Sequence, residues 1–120
     1  MHTVVETRSF LAAADDAGLS EWERELIVAY IAENPRCGDE IPGTGGCRKV
    51  RFAGRQGGKR GGYRTITFYS GDEMPVFLIT VFSKRERSDL TQAERNDLRQ
   101  LSKTLSTAFK HQPLPPGRRS

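Results

Sequence analysis

Val76 to Phe82 is apolar at every position except Thr80. A run this short, dense in β-branched and aromatic residues, reads as an interior strand covered on both faces. A chain that carries one must supply covering elements for two sides of a sheet. Its 120 residues are enough for one domain and too few for two separate cores. Only 36% of them are hydrophobic, so the core has to come from a few strongly periodic segments. Counted from Met74, the apolar run still falls far short of the roughly 20 residues of a membrane span. The opening MHTVVETRSF has no basic stretch followed by an apolar one, so the expected compartment is the cytoplasm, with no membrane partner.

The rest of the chain supplies those elements. Thr3 to Thr7 reads as a first strand and Phe10 to Ala17 as an alanine-rich helix stopped by Gly18. Ser20-Glu21-Trp22-Glu23 matches a capping box that opens a second helix. There Trp22, Leu26 and Tyr30, with Ile27 and Ile31, form one apolar stripe assigned to the core. Asn34-Pro35 ends this helix, and Gly38 to Gly46 is a loop. Cys47–Phe52, Gly62–Ser70 and Pro75–Ser83 read as three strands joined by the short links Ala53–Gly61 and Ser70–Glu73, hence as antiparallel hairpins. Thr91-Gln92-Ala93-Glu94 is a second capping box, followed by Leu98, Leu101, Leu105 and Ala108 on one helical face. The order β-α-α-β-β-β-α makes an α+β fold with an antiparallel sheet. Residues 1–110 form a single domain, and residues 111–120, with three prolines and two arginines, read as a disordered tail.

Charge is unevenly spread. Residues 1–40 hold three basic and nine acidic side chains, whereas residues 41–71 hold seven basic and no acidic ones. Surfaces ordinarily intersperse both signs, so this segment points to a polyanionic ligand. Eight of the twelve glycines lie between positions 43 and 62. The Walker pattern fails there in spacing and in the missing hydroxyl, and the glycines suit a hairpin whose bare backbone lets cations approach one strand of phosphates. Cys37 and Cys47 are too few for a disulfide framework and wrongly spaced for a zinc knuckle, and no cofactor is expected.

Hairpin pairing converges the cations. Arg48, Lys49 and Arg51 flank one side of the Gly-rich link, and Lys59, Arg60 and Arg64 the other. Lys84, Arg85 and Arg87 end the next strand. Alternation sets Lys49 and Arg51 on one face with Cys47, while Val50 and Phe52 point to the core. Arg64 shares parity with Ile66 and Phe68, so either a twist or bulge near Gly61-Gly62 re-aims it or it is structural. Tyr63 and Tyr69 lie among the cations and can stack on unpaired bases or pack on the sheet.

The motifs Gly45-Gly46-Cys47-Arg48-Lys49-Val50-Arg51-Phe52, Gly58-Lys59-Arg60-Gly61-Gly62-Tyr63-Arg64 and Lys84-Arg85-Glu86-Arg87-Ser88 with Leu90 resemble those of the RelE/HigB-like toxins of bacterial type II toxin–antitoxin systems. The resemblance covers roughly residues 3–107. It implies a small, metal-free endoribonuclease that cuts mRNA, usually on the ribosome. A cognate antitoxin of helix-turn-helix type would neutralise it, and operator DNA would be bound only through that complex. By position, Lys49, Arg51, Arg64 and Arg85 match the family's catalytic or phosphate-contacting cations. Where some members place a tyrosine soon after the third motif, this chain reads Asp89-Leu90-Thr91. That leaves stacking to Tyr63 or to another way of positioning substrate.

RNA cleaves itself when its 2′-hydroxyl attacks the adjacent phosphate in line, so a protein need only orient, deprotonate and neutralise. A lysine crowded by arginines can take the proton, because like charges lower its pKa from ~10.4. Lys49 is the first candidate, with Lys84 or Lys59 behind it. Arg51 and Arg64 are the phosphate clamp, and Arg85 stabilises the transition state or stands on the proton-donor side. Arg48, Lys59, Arg60, Tyr63 and Arg87 are the expected RNA contacts. The antitoxin is expected on the positive face or the last helix, or else on the acidic helix. Two other readings remain: a toxin of the same fold that inhibits DNA gyrase, as ParE-type relatives do, and a non-enzymatic nucleic-acid-binding module.

Overall fold

The computed structural model describes residues 2–53, 62–87 and 89–111, with side chains as far as Ala108. In chain order the elements are β1 (Val4–Glu6), α1 (Arg8–Asp16), α2 (Glu21–Glu33), β2 (Asp39–Glu40), β3 (Cys47–Phe52), β4 (Tyr63–Phe68), β5 (Val76–Ser83) and α3 (Gln92–His111). They build one sheet in the order β1-β5-β4-β3-β2. From β2 to β5 every pairing is antiparallel, as the short links require. Two details go beyond the expected pattern. A two-residue strand, β2, forms inside the loop expected at Gly38–Gly46, and β1 lies parallel to β5. No hairpin joins β1 to β5, so link length places no constraint on their relative direction. His111 is the last residue of α3, and residues 112–120 lie outside the described part.

Both capping boxes form. The Ser20 hydroxyl accepts the Glu23 N–H and the Glu23 carboxylate accepts the Ser20 N–H. Thr91 and Glu94 exchange the same pair of bonds. Thr7 caps α1 through the Phe10 N–H. These side chains satisfy backbone donors that a helix start leaves free.

The sheet is covered on both sides. Phe10, Ile27, Ile31, Val50, Val76, Leu78 and Val81 pack beneath α1 and α2. Cys47, Ile66, Phe68, Phe77, Ile79, Phe82 and Leu98 pack beneath α3. β5 thus feeds both layers, which explains its nearly unbroken apolar sequence. A bulge opposite Ile66/Thr67 inserts Ile79 into β5. It shifts the alternation so that Phe82 faces the α3 side. Gly38 has φ +88°, and a Cβ there would stand 2.6 Å from the Lys49 carbonyl oxygen. Only glycine lets the lead into β2 pass this close to β3.

The stripe assigned to the core on α2 divides. Ile27 and Ile31 are buried, but Trp22, Leu26 and Tyr30 are exposed. The helix carries two adjacent apolar rows about 100° apart, and the sheet can bury only one of them.

Candidate functional site

Register settles where the cations lie. Arg51 pairs directly with Arg64, and Lys49 with Ile66. Directly paired residues share a face, so Lys49, Arg51 and Arg64 stand together on the side of Cys47, Ile66 and Phe68. Arg64 needs no re-aiming; its parity with Ile66 and Phe68 is what brings it to Arg51. This end of the α3-side layer is where charge replaces the apolar core.

The three cations differ in setting. Arg64 is buried, at 5% exposure, while Arg51 is exposed. Burial first, then the Arg51 charge beside it, pulls the Arg64 guanidinium below its usual pKa. Like charges directly across a ladder repel, which is why the Arg51 charge adds to the lowering at Arg64. Lys49 Nζ donates to Asp89 Oδ1 at 3.3 Å. Asp89 also accepts the Leu90 N–H at 2.8 Å and pairs with Arg95 at 3.3 Å. The Leu90 N–H, then the Lys49 and Arg95 charges, outweigh burial and hold the Asp89 carboxyl below the usual carboxylate range.

Although residues 41–71 hold no carboxylate, Asp89 brings one to these cations. It lies 40 residues from Lys49, so no local pattern could have announced it.

The turn after β5 completes this end of the sheet. The Lys84 N–H donates to the Gly62 carbonyl at 3.0 Å, and the Arg85 N–H to the Ser83 hydroxyl. Both Lys84 and Arg85 are exposed. Arg87 is engaged structurally: its guanidinium lies 4.5 Å above the Phe82 ring and donates to both Glu94 oxygens at 2.8 Å. Burial raises the Glu94 carboxyl, but the Thr91 N–H and Arg87 outweigh it and hold it low.

Other expected contacts lie elsewhere. Arg48 alternates to the opposite face, where it donates to the carbonyls of Arg36 and Gly38 at 3.1 and 3.2 Å. Tyr63 packs against the layer beneath α1 and α2, on the reverse of Arg51. Tyr69 is buried at the far end of β4, with its hydroxyl donating to Asp72 and its ring edge-on to His2. Lys59 and Arg60 lie outside the described residues. Burial pushes the thiols of Cys37 and Cys47 above their usual pKa, and Cys47 contacts the Ser102 hydroxyl, tying β3 to α3. Among the described residues no three His, Cys, Asp or Glu side chains converge as metal ligands, and no helix is long and apolar enough to cross a membrane.

A family model described as the RelE toxin of the RelE/RelB toxin–antitoxin system matches residues 4–114. Two solved structures are similar in fold. One is a mutant of the E. coli toxin RelE in the free state with two arginines replaced by alanine. It is 19% identical, with a TM-score of 0.51 over 72% of this chain and 86% of that one. The other is the isolated E. coli RelE toxin, 16% identical, with a TM-score of 0.50 over 84% of this chain and 99% of that one.

Proposed function

From the premise that this chain belongs to the RelE toxin family of toxin–antitoxin systems, we propose that it is an mRNA endoribonuclease acting through the Lys49–Arg51–Arg64 face. The observation that carries this reading is the direct pairing of Arg51 with Arg64 beside Lys49. Two guanidiniums set directly across one ladder present planar forks that match paired phosphate oxygens.

In this reading Arg51 and Arg64 clamp the scissile phosphate and neutralise the charge it gains in the transition state. The 2′-oxygen bonds to phosphorus as the bond to the 5′-oxygen breaks and that oxygen takes a proton from solvent water, leaving a 2′,3′-cyclic phosphate and a 5′-hydroxyl. The Asp89 carboxylate accepts the proton of the 2′-hydroxyl, and Lys49, donating to it at 3.3 Å, fixes its direction. Lys84 and Arg85 extend the positive surface along the RNA. The open shape of the face fits a substrate that the ribosome holds in place, in the cytoplasm.

The test is induced expression in bacteria with mapping of new mRNA 5′ ends. Growth arrest with new 5′-hydroxyl ends is expected, and cleavage by the purified protein on ribosomes should persist in EDTA under conditions that keep the ribosomes intact. Arrest without new ends would sink the reading.

A further inference from the structure

Trp22, Leu26 and Tyr30 recur every fourth residue on α2 and are 59%, 49% and 48% exposed. Single exposed apolar side chains are ordinary, but a contiguous row marks a contact surface. Trp22 and Leu26 line a groove of about 260 Å³ whose other walls include Leu19, Phe52 and Tyr63. Tyr30 continues the row, edge-on to Phe52 at 5.6 Å between ring centres. Among the described residues the α2 side of the rim is acidic: Glu21, Glu25 and Glu33 are exposed along the helix, and Glu23 lines the groove itself.

That combination selects the occupant. The glutamates repel RNA. A second copy packing α2 on α2 would bring the same glutamates face to face, since a two-fold contact pairs each patch with itself. A segment with apolar anchors flanked by Lys or Arg complements both the floor and the rim. We infer that this groove anchors the cognate antitoxin, through a short amphipathic helix whose apolar side chains meet Trp22, Leu26 and Phe52 and whose cations pair with Glu21, Glu25 and Glu33. The groove lies on the reverse of the Lys49–Arg51 face, so the anchor is not where the positive charge alone would put it. The inference rests on membership in the family and not on the ribonuclease reading, because an antitoxin must hold the toxin whatever the toxin attacks.

Trp22 is the one tryptophan of the chain, which makes the test direct. The full chain is labelled with 5-fluorotryptophan and mixed with the unlabelled protein encoded by the adjacent open reading frame, the pair having first been shown to co-purify. The fluorine resonance should shift and lose access to a soluble quencher in the complex. Trp22→Ala with Leu26→Ala should weaken the complex roughly thirtyfold or more, as hot-spot aromatics do. Arg51→Ala should leave it within about threefold, the range expected for an exposed charge outside the contact. An unchanged resonance at saturation, or affinity lost on Arg51→Ala and kept without Trp22 and Leu26, overturns the inference. So does a shift that appears with rising concentration of the labelled chain alone, which would assign the groove to a second copy. Absence of RNA cleavage with the binding pattern intact would count against the ribonuclease reading only.

Discussion

The same stretch of the β3–β4 ladder has two unlike sides. Toward α3 it shows Lys49, Arg51 and Arg64, with Asp89 reaching in from the segment ahead of the helix. Toward α2 it shows Phe52 and Tyr63, bordered by exposed apolar residues and glutamates. One residue of strand separates the two chemistries. If both proposals hold, a period of two lets a six-residue strand serve a phosphate on one side and a protein on the other, without either ligand competing for the same atoms.

The largest effect should come from separating the two sides by mutation. Arg64→Ala should cut RNA cleavage by about two to three orders of magnitude, as loss of one transition-state donor does. Trp22→Ala should leave cleavage unchanged and affect only antitoxin rescue. Cleavage rates for both variants, with circular dichroism to confirm folding, decide this. If Arg64→Ala cleaves normally, Arg64 is structural and the comparison breaks.

A smaller effect is expected at the junction. Asp89→Asn should lower cleavage about tenfold, the scale of a positioned proton-transfer partner partly retained. Its pH–rate profile should change in shape, which a purely structural loss would not do.

RNA affinity should separate the faces again. Its logarithm falls with the logarithm of salt by about 0.7 per phosphate contact on a single strand. Arg51→Ala should flatten the slope by about that amount. Arg48→Ala should not, because that guanidinium is held by the carbonyls of Arg36 and Gly38.

The smallest effect concerns acid stability. Asp89 and Glu94 are both held below the ordinary carboxylate range. Their contribution is therefore complete above the unfolded value of ~4 and disappears as pH falls through the lower folded values. Both are partly solvent-exposed, so Glu94→Gln should lower Tm by no more than about 3 °C at pH 7. That gap should close toward pH 3. A gap that widened with acid would reverse the assignment.

How much of this was legible in the sequence follows from the range of each interaction. Caps, hairpins and the convergence of Lys49, Arg51, Arg64, Lys84 and Arg85 depend on neighbours within one turn or one link, and they could be read directly. Arg64 was legible as a cation, but its face was not, because parity within one strand has no meaning until the register against the next is known. Asp89 meets Lys49 only through the packing of α3 on the sheet. On α2, periodicity merged two apolar rows into one core stripe, because spacing alone does not say how wide a face the sheet can cover, and the row with the larger side chains is the one left in solvent. The parallel partner of β1 was hidden for a related reason, since no short link ties it to β5.

The pair Arg51–Arg64 has a last consequence. In the proposed reading a phosphate is held by both guanidiniums only in the folded chain, so each bound phosphate group raises resistance to unfolding by mass action. Endurance and attack are then linked. A toxin built this way lasts longer on its target than off it.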